Sequence, residues 1–351
     1  MEGKMRAVMK VRPEYDGTEI VEVDIPKPGP TEVLIRNKCV SICGTDVHIF
    51  DWDPWAQGRI KTPLIYGHEF AGEIVEVGSA VTSVKVGDQV SGECHIVDNR
   101  CEMCQSGRAH ICDNVEIFGV DRTGIFAEYC CIPAFNVWVN DPTLPPEFCS
   151  VQDPLGNAVH TVFSTNVSGQ SVAILGAGPI GLMATAVCKV CGASEIYVVE
   201  GNNKYRAKLA RKVGAYKTFL ASEQDVEKEI LERTNGAGVD VVLEMSGNAH
   251  AFNTGLRILK KGGHFAILGV YKEPIPIDIT DMVVFKGITM VGITGRHMFK
   301  TWQITKNLLN IPSLCEDLST IITHNMPFED FKKGMEIMRS GQSGKVVLSL
   351  E

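Results

Sequence analysis

Residues 171–181 read S-V-A-I-L-G-A-G-P-I-G, an apolar run that stops at three spaced glycines. The run predicts a buried strand, the glycines a turn, and the stretch from Pro179 a helix. Gly176, Gly178 and Gly181 fit G-x-G-x-x-G. The first glycine makes the tight turn, the second lets backbone approach a pyrophosphate, and the third lets helix and strand pack closely. The helix start, with Ile180 in it, offers free N–H groups and the positive end of its dipole to phosphates. Such a turn on its own is often only structural. Here it joins an apolar strand to a helix and is followed, at about the twenty-residue spacing of the motif, by Glu200 at the end of the next strand. A carboxylate there accepts hydrogen bonds from a ribose 2′-hydroxyl and repels a 2′-phosphate, which favours NAD over NADP. Arg206, close by, pulls the other way.

Outward from this stretch, residues 158–299 alternate apolar strands with helical periodicity: helix 179–190, strand 195–200, a helix through Leu209, strand 239–244, a helix around Leu256 and strand 264–269. Repeated β-α units of this kind make a doubly wound parallel sheet. Before residue 150 the texture changes to short alternating runs broken by Gly and Pro, such as 33–40, 73–78 and 87–92, the mark of a β-rich domain with long loops. After residue 300 an amphipathic stretch, T301-W-Q-I-T-K-N-L-L, and a last strand from Lys345 are expected to return to that first domain. The chain therefore divides into 1–157 with 300–351, and 158–299. Two domains also suit 351 residues, more than one hydrophobic core usually covers.

Composition excludes several classes. With 34 basic and 42 acidic residues the formal charge is −8, and no basic block is long enough to track a phosphate backbone, so nucleic acid is not an expected partner. The N-terminus lacks the apolar core of a signal peptide, and no apolar run is long enough for a bilayer, so the expected location is the cytoplasm, with no membrane partner. There the twelve cysteines stay reduced. Cys39, Cys130, Cys131, Cys149, Cys188, Cys191 and Cys315 sit in apolar or mixed stretches and read as packed thiols.

Cys43, Thr45, Asp46, His48, His68 and Glu69 fall within one short segment, C-G-T-D-V-H followed past a loop by G-H-E. Thiolate, imidazole and carboxylate all suit zinc, and a catalytic zinc keeps one position open. Cys43 and His68 read as two ligands. The third is open between Glu69 and Asp153, and Asp46 is placed to orient an imidazole through its other N–H. Thr45 and His48 read as a relay, a hydroxyl followed by an imidazole, that takes a proton out of a water-poor pocket. A Lewis acid and a hydride acceptor in one chain point to alcohol oxidation.

A second cluster, Asp98, Cys101, Cys104 and Cys112, is spaced D-x2-C-x2-C-x7-C. Three thiolates and a carboxylate could close a tetrahedral structural zinc site, although Asp98 is a harder ligand than the cysteines. Cys94 could replace Asp98, or the lobe could stay empty.

Together C43-G-T-D-V-H-I-F-D-W-D, G67-H-E, S91-G-E-C-H-I, F126-A-E-Y, D153-P-L-G-N-A-V-H-T, L175-G-A-G-P-I-G, E244-M-S-G, T294-G-R-H-M-F-K-T-W and M338-R-S-G-Q-S-G-K-V resemble the zinc-dependent medium-chain alcohol dehydrogenase superfamily, and within it the branch that oxidises L-threonine. The resemblance spans essentially the whole chain. It implies a Rossmann cofactor domain beside a GroES-like catalytic domain, one catalytic and one structural Zn2+, and NAD-linked oxidation of the L-threonine 3-hydroxyl to 2-amino-3-oxobutanoate. By matching position, Cys43, His68, Glu69 and Asp153 would hold the catalytic zinc, Thr45 and His48 would relay the proton, and His95 would line the substrate pocket. Gly176, Gly178, Ile180, Gly181, Glu200, Arg206, Leu268 and Ile293 would contact NAD, with Arg296 near them. Relatives imply a homotetramer. Asp98 stands where the family's lobe carries its first cysteine. The same zinc and NAD would also serve a polyol or sugar dehydrogenase of the sorbitol or butanediol type, and a silent NAD-binding protein is the alternative outside enzymes.

Overall fold

The computed structural model describes residues 2–350. Its contacts divide the chain into two compact units: 1–153 with 297–302 and 322–351, and 154–296 with 303–321.

The second unit is built on a six-stranded parallel sheet, in the order Lys217–Leu220, Glu195–Glu200, Ser171–Leu175, Val239–Glu244, Leu259–Ile267, Thr289–Gly292. Ser171–Leu175 lies inside the order. Val172 to Leu175 are fully buried, as a parallel strand covered on both faces requires. The strand order turns back between Glu195–Glu200 and Val239–Glu244, on either side of Ser171–Leu175, which is the switch point where such sheets bind ligands beyond their strand ends. The core contains Leu175, Tyr197, Phe219, Val242, Phe252, Leu256 and Phe265. Two edge strands, Lys217–Leu220 and Thr289–Gly292, were not foreseen: their mixed residues show neither an apolar run nor a clean alternation.

The first unit is β-rich. Its main sheet runs Val137–Val139, Gln89–Gly92, Phe70–Val77, Glu32–Ser41, Lys345–Ser349, Ile322–Pro327, and Tyr129–Pro133 also pairs with Glu32–Ser41. A three-stranded sheet joins Thr18–Asp24, Lys4–Lys10 and Leu64–Ile65. The core gathers Ile35, Ile42, Phe50, Tyr66, Phe70, Phe126, Phe331 and Leu348. The ends of Glu32–Ser41 and Lys345–Ser349 lie side by side, with Val347 opposite Ser41, so the C-terminal strand reaches the start of the C-G-T-D-V-H segment.

The expected return of 300–351 to the first domain is corrected in part. Residues 303–321 belong with the second unit, where Leu314, Leu318 and Ile321 bury one face of the helix Pro312–Ile321 against Pro179–Val190. Lys189 Nζ and Asp317 Oδ2 pair across that contact at 2.8 Å. Among the described residues, no helix is long and apolar enough to cross a membrane.

Candidate active site

Cys43 follows the strand Glu32–Ser41 and caps the helix Gly44–Asp51 in extended conformation, while Asp46 accepts its N–H at 2.8 Å. Gly67 sets the other side. Its φ is +91°, and a Cβ there would lie 2.0 Å from the Phe126 ring, so only glycine lets the chain carry His68 and Glu69 inward. The donor atoms of Cys43, His68 and Glu69 lie within 4.8 Å of one another, and His68 and Glu69 are buried. Of the two carboxylates left open above, Glu69 belongs to this converging group. Asp153 is buried in the first turn of the helix Gln152–Val162.

Three buried atoms here, Asp46 Oδ1, His68 Nδ1 and Glu69 Oε1, have no hydrogen-bond partner among the described residues. Buried polar atoms are normally satisfied, and a cluster of orphans on a sulfur, nitrogen and oxygen donor set is what a missing cation leaves behind. The residues present therefore fit zinc. Asp46 Oδ1 is 3.8 Å from His68 Nδ1, on the side where an orienting carboxylate belongs but too long for a hydrogen bond. Burial pushes the Asp46 carboxyl up to about 6. Burial opposes protonation of His68, yet the neighbouring Cys43 and Asp46 charges outweigh it and raise the imidazole.

Glu69 Oε2 is held by Ser41 Oγ and by Lys345 Nζ, the latter at 2.5 Å. Lys345 is fully buried and also donates to Ile42 O at 2.7 Å. Nothing local in the sequence signals this lysine, which comes from the last strand.

Thr45 Oγ1 lies 3.8 Å from Cys43 Sγ. His48, one turn further along the helix, is half-exposed, and its Nδ1 meets Asp53 Oδ2 at 2.7 Å. His95 Nδ1 lies 2.6 Å from Glu93 Oε1, and Glu93 Oε2 accepts from Trp302 Nε1 at 2.8 Å. Glu93 is fully buried. The sequence reading found His95 but not the carboxylate and indole that fix it.

In the lobe, Asp98, Cys101, Cys104 and Cys112 also bring their donor atoms within 4.8 Å of one another. Asp98, not Cys94, is the fourth member. The Arg100 amide, Asn114 and the Cys101 amide hold its carboxyl well below the usual range, so it stands ionised among the thiols. This set also fits zinc.

In the second unit Gly176 has φ +103°, and a Cβ on Gly181 would meet Gly176 O at 2.0 Å. A Cβ on Gly178 would meet nothing within 4 Å, so the glycine there keeps space open rather than relieving a clash. Gly178 caps the helix Pro179–Val190 in extended conformation, and Ile180 lies in its first turn. Glu200 Oε2 accepts from Ala177 N at 3.0 Å and Oε1 from Gly201 N at 2.9 Å, which fixes the carboxylate beside the glycine turn. Arg206 is lowered by burial, with Glu200 opposing. Leu268 and Ile293 follow the ends of adjacent parallel strands. Arg296 is buried and donates to Asn157 Oδ1 at 3.0 Å. Glu244, also buried, accepts the Ser246 and Gly247 amides at 2.8 and 3.1 Å and shapes the next loop, a role the motif E-M-S-G did not disclose. The open cradle and the fixed carboxylate fit a dinucleotide.

The family described as zinc-binding dehydrogenase matches residues 179–310, and the alcohol dehydrogenase GroES-like domain matches residues 29–142. The chain belongs to the zinc-dependent medium-chain dehydrogenase family and is an oxidoreductase. It is 53% identical over 348 residues to L-threonine 3-dehydrogenase of Caldanaerobacter subterraneus subsp. tengcongensis, covering 99% of each chain. It is 49% identical over 352 residues to L-threonine 3-dehydrogenase of Pyrococcus abyssi, covering 100% of each. Among solved structures it is similar to a candidate zinc-binding dehydrogenase from Sinorhizobium meliloti 1021 bound to NADP, with TM-score 0.88, 28% identity and 99% of each chain covered. The expected α/β fold with a separate β-rich domain is borne out.

Proposed function

We propose that this enzyme oxidises the 3-hydroxyl of L-threonine to 2-amino-3-oxobutanoate with NAD. The supporting observation is the buried Cys43, His68 and Glu69 donor set with its orphaned atoms, in a chain about half identical to L-threonine 3-dehydrogenases. Cys43, His68 and Glu69 would hold a zinc ion, which supplies a Lewis acid that makes a neutral hydroxyl acidic. NAD, cradled by Gly176, Gly178 and Gly181, would supply the hydride acceptor. Thr45 takes the hydroxyl proton and passes it toward His48, which delivers it to solvent. Glu93 holds His95 by its Nδ1, and His95 would line the substrate pocket. Glu200 presents a fixed negative charge where NADP would carry a phosphate, so NAD is the cofactor despite the NADP of the solved neighbour. Asp98, Cys101, Cys104 and Cys112 would hold a second, structural zinc. The homotetramer would be built through the exposed edge of the six-stranded sheet.

The test is metal content per subunit measured together with NAD-linked turnover of L-threonine, sorbitol, butane-2,3-diol and L-serine. Two zinc ions and clear preference for L-threonine are expected. Preference for the diols would move the reading to a polyol dehydrogenase, and no NADH with any alcohol would move it to a silent binding protein. Cys43→Ser should abolish turnover while NADH binding survives.

A further inference from the structure

The motif C43-G-T-D-V-H-I-F-D-W-D ends in a carboxylate that the mechanism above leaves unused, Asp53. The helix Gly44–Asp51 stops at Trp52, whose φ of 55° turns the chain sharply, and Asp53 then begins the helix Pro54–Arg59. The turn brings the Asp53 side chain back onto His48. Oδ1 accepts the Ala56 N–H at 3.1 Å, as an N-cap does, and Oδ2 lies 2.7 Å from His48 Nδ1. The Trp55 ring stands 6.1 Å from the imidazole. The carboxylate is thus anchored by a helix start at one oxygen and bonded to the histidine by the other.

We propose that Asp53 is a positioning residue of the proton relay: it fixes neutral His48 with its proton on Nδ1, so that Nε2 is the nitrogen that receives the proton from Thr45. This rests on the relay assigned to Thr45 and His48. An ionised carboxylate only accepts hydrogen bonds, so Nδ1 must donate to it and the lone pair is left on Nε2. Asp53 is held below its ordinary range: burial opposes this, but the Ala56 amide and His48 outweigh it. When His48 takes up the relayed proton, the same carboxylate stabilises the imidazolium. Other charged groups on the elements around this helix have partners of their own. Asp51 pairs with Arg339, which also holds Glu336; Lys332 pairs with Asp16, Lys333 with Asp330, and Arg59 with Asp121. Lys10 donates to Phe50 O and Glu14 O, and Asp46 accepts from Cys43.

The experiment uses zinc-loaded enzyme. In wild type, nitrogen NMR of the histidines should show neutral His48 protonated on Nδ1. Asp53→Asn keeps an oxygen for the Ala56 cap but loses the charge. It should lower kcat about tenfold with KM for L-threonine within about twofold. Asp53→Glu should restore part of kcat. A wild-type His48 protonated on Nε2, or an Asp53→Asn enzyme with unchanged kcat, overturns the proposal. His48→Gln separates the two readings. If it keeps wild-type kcat the relay itself is wrong; if it loses activity while Asp53→Asn does not, the relay stands and Asp53 has no part in it.

Discussion

Lys345 and Glu69 form a buried ion pair beside the candidate metal ligands, both almost wholly out of water. Removing one partner of such a pair strands the other charge, at a cost of about 3–5 kcal/mol. Lys345→Met should therefore lose on the order of 3 kcal/mol in urea unfolding and, because Glu69 is no longer held, bind less zinc. Unchanged stability and metal content would show that the pair holds nothing in place. Lys10 gives a pH prediction. Burial lowers its ammonium to about 8 in the folded chain, against an ordinary value near 10.5. Between these values the unfolded chain holds the proton and the folded chain does not, so stability should rise with pH from about 8 to 10. Lys10→Met should remove that rise from a series of urea titrations. These residues also show what a sequence discloses. Cys43, His68 and Glu69 were legible because metal-donor types crowd a short segment. Lys345 was not, because its meaning depends on two strands meeting from opposite ends of the chain.

Elements were legible where burial leaves a pattern. Ser171–Leu175 and Val239–Glu244, interior strands of the parallel sheet, appear as apolar runs. Lys217–Leu220 and Thr289–Gly292 lie at its edges, face water in part, and have no such signal. The glycine turn offers a test that separates a nucleotide cradle from a structural bend. Gly181 cannot gain a Cβ without meeting Gly176 O, whereas Gly178 has room for one. Gly178→Ala should thus fold with a melting temperature close to wild type and yet weaken NADH binding at least about tenfold, as followed by nicotinamide fluorescence, because the added methyl occupies the approach to the pyrophosphate. Unimpaired NADH binding in a folded Gly178→Ala would mean that the space serves no phosphate.

At the scale of the molecule, the open question is what covers the end of the six-stranded sheet. Thr289–Gly292 is its last strand, and an unpaired edge is a template for another chain. Just before it in sequence, Val270, Ile279, Val284 and Phe285 are 89%, 54%, 62% and 68% exposed. Large exposed apolar side chains in the segment that leads into an edge strand suit a contact with another copy of the chain. The assembly expected here is a homotetramer, and a symmetric pairing of two such edges would bury the same side chains on both copies. Phe285→Asp and Val284→Asp place a charge on each side of that pairing, where it meets its own copy. Light scattering should therefore find wild type as a tetramer and both variants as smaller species that keep their fold by circular dichroism. Should both variants remain tetrameric, the subunits join through another surface.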